Sequence, residues 1–95
     1  MKVVWTDVAE EHLEALYFYI ESENAAAARR LVVKVVDITN LVLARHPESG
    51  RLGRVEGTRE LVISGTPYIV SYWIVRNQVE VLGVWHTSRS WPKKF

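Results

Sequence analysis

The side chains best suited to chemistry in this sequence are cations. Arg51 and Arg54 fall among closely spaced glycines, Arg59 follows Gly57, and Arg89, Lys93 and Lys94 crowd the far end, with His86 just before them. Guanidinium groups clasp phosphates in two-pronged fashion, and an imidazole moves protons near neutral pH. Trp91 and Phe95 add flat faces on which bases stack. The set is that of a nucleic-acid or other anion site. Each member also has a plainer reading. Arg59 beside Glu60 makes a structural ion pair, His86 is a hydrogen-bonded strand-end residue, and Trp85 and Trp91 belong to a core or an interface. Both readings stay open on the residues alone.

Other chemistries find no support. His12, His46 and His86 belong to different elements and form no ligand-spaced pair, so no metal is expected. The absence of cysteine removes disulfides, thiolate zinc sites and cysteine nucleophiles together. None of the serines sits in a G-x-S-x-G elbow. No phosphate-cradling glycine loop is present, and no cofactor is expected.

Something must hold these residues in place. Val3-Val4-Trp5 reads as a first strand. Asp7, or Thr6 in its place, caps a helix in which Ala9, Leu13, Leu16, Tyr17 and Ile20 keep helical spacing, while Glu10, Glu11, Glu14 and Glu21 take the other side. Asn24 caps a second helix striped by Leu31, Val35, Ile38 and Val42. Its many valines favour strand by propensity, but period and length favour helix, until Pro47 stops it. Residues 47–57 read as a loop. Three strands follow, Thr58–Ile63, Tyr68–Val75 and Val79–Trp85, separated by Gly65-Thr66-Pro67 and by Arg76-Asn77. The fold class is therefore α+β in the order β-α-α-β-β-β: a helical hairpin packed on one face of a mainly antiparallel four-stranded sheet. The helices can cover one side of that sheet. The other side, carrying either Ile69, Trp73 and Val75 or Tyr68, Val70, Tyr72 and Ile74, is expected to face solvent or a partner.

The 95 residues make a single domain, 1–95. Apolar residues are 48% and charged residues 24%, which excludes a disordered or fibrous chain. No apolar run approaches the ~20 residues that span a bilayer, so no membrane partner is expected. Asp7, Glu10 and Glu11 arrive too early for a secretory signal, and a cytoplasmic location is expected. Net charge is only +1, yet residues 1–48 carry five Lys/Arg against eight Asp/Glu, whereas residues 49–95 carry seven against three. The basic half points to an anionic partner.

Several runs together resemble the RelE/ParE toxin superfamily of type II toxin–antitoxin modules. They are Trp5, Ala9 and Leu13; Ala26-Ala27-Ala28 with Leu31; His46-Pro47-Glu48-Ser49-Gly50-Arg51; Gly57-Thr58-Arg59-Glu60-Leu61-Val62; Tyr68-Ile69-Val70 with Tyr72; and Val79-Glu80-Val81-Leu82 closing on His86, Arg89, Trp91 and Pro92. The order and spacing extend over about residues 3–92. The resemblance implies the same β-α-α-β-β-β fold and a hetero-oligomer with a cognate antitoxin, ParD-like or RelB-like. It also implies one of two targets. RelE-like members are metal-independent endoribonucleases acting on ribosome-bound mRNA; ParE-like members inhibit DNA gyrase and serve plasmid stabilisation. The RelE pattern places lysines along the second strand of the chain, Thr58–Ile63, and an arginine directly after the tyrosine that begins the third. This chain has Glu60, Val62 and Ile69 there, and Phe95 where RelE ends in a tyrosine. The resemblance is therefore closer to ParE, with Arg51, Arg54, Arg59, His86, Arg89 and Trp91 as target-binding residues. In the ribonuclease alternative His86 and Arg89 are catalytic. A third reading is a non-toxic interaction module with the same fold.

Overall fold

The computed structural model describes residues 1–88. Arg89, Trp91, Lys93, Lys94 and Phe95, singled out above, lie outside the described residues.

Seven elements follow in chain order: β1 (Val3–Trp5), α1 (Asp7–Glu21), α2 (Ala25–Arg45), β2 (Arg51–Leu52), β3 (Arg59–Val62), β4 (Tyr68–Val75) and β5 (Gln78–His86). The sheet order is β1-β5-β4-β3-β2. Thus β1 runs parallel to the last strand, Val3 opposite Val79 and Trp5 opposite Val81, and all other pairings are antiparallel. The helical hairpin, the strand bounds and the mainly antiparallel sheet match the sequence reading. The strand count is corrected from four to five. Arg51 and Leu52, read as loop, pair with Glu60 and Arg59 as a two-residue edge strand that carries no apolar alternation long enough to betray it.

Local chemistry explains where elements begin and end. Thr6 caps α1 in place of Asp7: its hydroxyl accepts from Ala9 N at 3.2 Å and donates to Val81 O at 2.8 Å. One side chain thus starts the helix and ties it to β5. Asn24 Oδ1 accepts from Ala27 N at 2.9 Å to start α2. Arg76 and Asn77 both take positive φ, 55° and 62°, the conformation that two-residue hairpin turns demand.

The core lies between the hairpin and the inner sheet face. Ala9 and Leu16 of α1 and Val35 of α2 meet Ile63, Tyr68, Val70, Val81 and Val84. A second cluster joins Leu43, Tyr72 and Val79. Leu82 is an extra residue in β5: Ser71 faces Gly83, whereas Tyr72 faces Val81. This bulge lets both Val84 and Val81 point inward although they are three residues apart.

The outer face is less bare than expected. Ile69 is 2% exposed and Ser71 is 1% exposed. The Trp85 indole lies over Gly83 and donates to Ser71 Oγ at 2.8 Å, while Trp73 Nε1 donates to Glu80 Oε1 at 2.8 Å. Large exposed apolar side chains lie instead mostly on the helices: Val8, Phe18 and Tyr19 on α1, Val33 and Leu41 on α2. The expectation of a naked apolar outer sheet is corrected accordingly. Aromatic residues in the strands lie down over their own neighbours, and the unpaired apolar surface moves to the hairpin.

Candidate functional site

Among the described residues, the sequence-selected cations and His86 do not converge on one point. Arg51 and Arg54 lie on the outer side, gathered by one carboxylate. Glu60 is 3% exposed. Its Oε1 accepts from Arg51 Nε and Nη2 at 3.2 and 3.1 Å. Its Oε2 accepts from Arg54 N at 2.9 Å and lies 3.5 Å from Arg54 Nε. The ion pairing assigned to Arg59 therefore belongs to Arg51 and Arg54. Arg59 points toward the loop after α2, where its Nη1 donates to Glu48 O at 3.1 Å and Gly50 O at 2.8 Å. There it works alongside Tyr72, whose hydroxyl accepts from Gly50 N at 2.9 Å and donates to Pro47 O at 2.8 Å. Burial pushes the Tyr72 phenol above its ordinary 10.0, with the Gly50 amide pulling the other way.

His86 is elsewhere. Arg59 pairs with Tyr72 and His86 pairs with Tyr68, so the two stand four residues apart along β4 and on opposite sides of it. Strand rise alone separates them by about 13 Å. The His86 ring stands edge-on to Tyr68 with centroids 5.3 Å apart. Its Nδ1 accepts from Ser88 N at 3.1 Å and lies 2.7 Å from Ser88 Oγ. Accepting a backbone N–H requires a bare Nδ1, so the neutral ring carries its proton on Nε2. A ring in that state donates at Nε2 and has no lone pair there to act as a base.

His86 has a companion that the sequence reading left without a role. Strand β1 covers only Val79–Val81, so β5 runs on past it. Beyond that point His12, on α1, takes up the Val84 N–H with its Nδ1 at 3.1 Å. The His12 ring also meets Trp85 edge-on at 4.7 Å. His12, Leu16, Tyr68, Trp85 and His86 line a recess of about 270 Å³. No periodicity marks His12, because helical spacing says nothing about a sheet edge. Glu60 stood in the sequence reading as a partner for Arg59 and as a missing cation; its role as the hub of Arg51 and Arg54 depends on the register of β2 against β3. Among the described residues no group of three potential ligands is arranged to hold a metal ion.

A third feature is the groove between the helices, about 390 Å³, lined by Leu13, Glu14, Tyr17, Phe18 and Val32. Phe18 at its rim is 62% exposed. The Glu21 carboxylate beside Tyr17 pushes that phenol above 10.0, burial adds to the rise, and Arg29 opposes it.

The family model for the ParE toxin of the type II toxin–antitoxin system parDE matches residues 3–91. The chain belongs to the ParE toxin family. The candidate toxin Y4kP of Sinorhizobium fredii is 40% identical over 92 residues, which cover 97% of this chain and 94% of that protein. Toxin RelE2 of Caulobacter vibrioides is 33% identical over 88 residues, 93% of this chain and 97% of that one. A chain of the chromosomal ParDE system from P. aeruginosa shares the fold, with a TM-score of 0.78 at 23% identity, over 88% of this chain and 92% of the other. Among the described residues, Arg51 and Arg54 meet at Glu60, while His86 engages Ser88 further along the sheet.

Proposed function

We propose that this ParE-family chain is a growth-arresting toxin that inhibits DNA gyrase, serves plasmid stabilisation, and is held inactive by a cognate antitoxin in a hetero-oligomer. Gyrase works in the cytoplasm, so the toxin acts there. No helix among the described residues is long and apolar enough to cross a membrane.

The observation that carries this reading is Glu60. A ribosome-dependent nuclease needs cations and an acid/base pair converging on one phosphodiester. Here a nearly buried carboxylate occupies mid-strand and gathers Arg51 and Arg54 to itself, with His86 three residues, or about 10 Å, along the sheet and its Nδ1 taken up by Ser88. The arrangement is better suited to docking than to cleavage. In this reading Arg51 and Arg54 meet the target directly and Arg59 braces the loop that presents them. His86 extends the contact at the other end of the sheet, and Arg89 and Trp91, which follow it in sequence, are assigned to target binding with it. The exposed apolar hairpin, with Phe18 at its rim, receives the antitoxin.

Purified toxin at micromolar concentration is expected to inhibit supercoiling by gyrase and to trap its cleaved DNA complex. Arg51→Gln is expected to weaken the effect by more than its lower melting temperature accounts for, with the fold retained at the assay temperature, since Arg51 also pairs with Glu60. Cleaved transcripts in a translating extract, abolished by His86→Ala and accompanied by normal supercoiling, would replace this reading with the ribonuclease one. Expression without growth arrest would favour the non-toxic module.

A further inference from the structure

Helix α1 is acidic along its whole outer side. It contains Asp7, Glu10, Glu11, Glu14 and Glu21 and no lysine or arginine. Positions 7, 11, 14, 18 and 21 alternate steps of four and three, so Asp7, Glu11, Glu14, Phe18 and Glu21 form one line down the helix. Glu14 and Phe18 are also groove residues, with Leu13, Tyr17 and Val32 beside them. The acidic line is thus one lip of the apolar groove.

The fold gains little from the middle of this line, Glu11 and Glu14. Both ion pairs found among the described residues fall on Glu60, and none of the five α1 carboxylates has a cation within 4 Å. Asp7 with Glu11 and Glu10 with Glu14 are like charges four residues apart, and each such pair costs an isolated helix a few tenths of a kcal/mol. The helix dipole relieves Asp7 and Glu10 in the first turn but does little for Glu14 or Glu21. Arg29 acts only at the turn end, beside Tyr17. A nucleic acid would bring phosphates against these carboxylates, so this lip excludes it. What fits is an apolar stripe to fill the groove, bordered by positive charge.

We infer that the hairpin groove selects an amphipathic helix whose edge toward α1 carries lysine or arginine, and that Glu11 and Glu14 set this preference. The inference rests on the antitoxin reading above and names the chemistry of the antitoxin segment that docks here. An acidic segment with the same apolar stripe meets the carboxylates of this line, Glu11 and Glu14 foremost, and is rejected.

The test uses the full chain and two labelled peptides of about 20 residues, identical in a leucine stripe at helical spacing, one bordered by Lys and the other by Glu. Anisotropy is read at about 50 and about 300 mM NaCl. The Lys peptide is expected to bind at least roughly tenfold more tightly at low salt and to lose most of that margin at high salt. The double variant Glu11→Gln, Glu14→Gln is expected to erase most of the margin while melting no lower than the parent. Phe18→Ala should weaken the Lys peptide through the lost apolar contact. Equal binding of the two peptides, or a margin that the double variant leaves intact, overturns the inference. So does a salt-sensitive dimer of the chain that the double variant dissolves, since the occupant would then be a second copy. The antitoxin reading is judged separately, by co-expression with the product of the adjacent reading frame. If that product fails to co-purify with the parent chain, the antitoxin reading falls and the peptide comparison still decides the charge preference. If it co-purifies equally well with parent and double variant at low salt, the charge preference alone falls.

Discussion

Tyr72 does more for this molecule than its place in a strand suggests. Its ring fills the second core cluster, and its hydroxyl holds the loop after α2 through Gly50 and Pro47. Tyr72→Phe keeps the ring and leaves Gly50 N–H unpaired, so it is expected to cost about 1–3 kcal/mol in denaturant titrations. The pH dependence has a definite sign. The phenol is raised above 10.0 in the folded state, so its contribution is complete below pH 10.0 and is lost as pH climbs through the folded value. The Phe variant should therefore lose stability less steeply at alkaline pH. Glu80 behaves in the opposite sense. Hydrogen bonds from Trp73 and then Gln78 hold its carboxyl below 4.5. Its contribution is present above pH 4.5 and is lost as pH falls through the folded value, so Glu80→Gln should flatten the acid limb of the stability profile.

At the scale of elements, two junctions bear the most consequence. Thr6 both caps α1 and bonds Val81 O, so Thr6→Ala releases the helix start and its tie to β5 at once. A loss of about 1–2 kcal/mol is expected in thermal or denaturant unfolding, and Thr6→Ser should recover most of it. Gly83 is where the Trp85 indole crosses its own strand. A Cβ there would lie 2.7 Å from Trp85 Nε1. Gly83→Ala should displace the indole from Ser71, seen as a shift in tryptophan fluorescence together with a lower melting temperature. The elements themselves were largely legible in sequence. The stripe from Leu31 to Val42 announced α2 against its valine content, and Arg76-Asn77 announced the last hairpin. What sequence could not show was the registry between elements. Arg51 and Leu52 are too short a strand to carry a period, and the Thr6 cap competes with an equally good Asp7. The site suffered most, because Glu60 meets Arg51 and Arg54 only once β2 is aligned with β3, and the Nδ1 contacts of His12 and His86 depend on where β5 ends.

For the whole molecule, charge is divided by region. The acidic surface is largely α1, beside the exposed apolar residues of the hairpin, and Arg51 and Arg54 lie across the sheet from it. One molecule therefore offers two surfaces of different chemistry, and a ligand for one need not compete directly for the other. The split was visible in the sequence as the imbalance between residues 1–48 and 49–95. Its meaning was not, because apolar composition suggested that the naked surface would be the outer sheet. Trp73 and Trp85 change that by folding onto Glu80 and Ser71.

The parallel pairing of β1 with β5 also governs when this protein comes into being. Val3–Trp5 emerges from the ribosome first and must wait for Val79–Val81, nearly the whole length of the chain, before it finds its neighbour. Until then α1 and α2 have no complete floor to pack on, and a chain ended after Val75 is expected to show no cooperative unfolding transition. At the usual pace of roughly 5–20 residues per second, that wait lasts several seconds. A chain lacking Val79–Val81 thus has no neighbour for β1, and a three-residue ribbon makes completion of the sheet wait on β5.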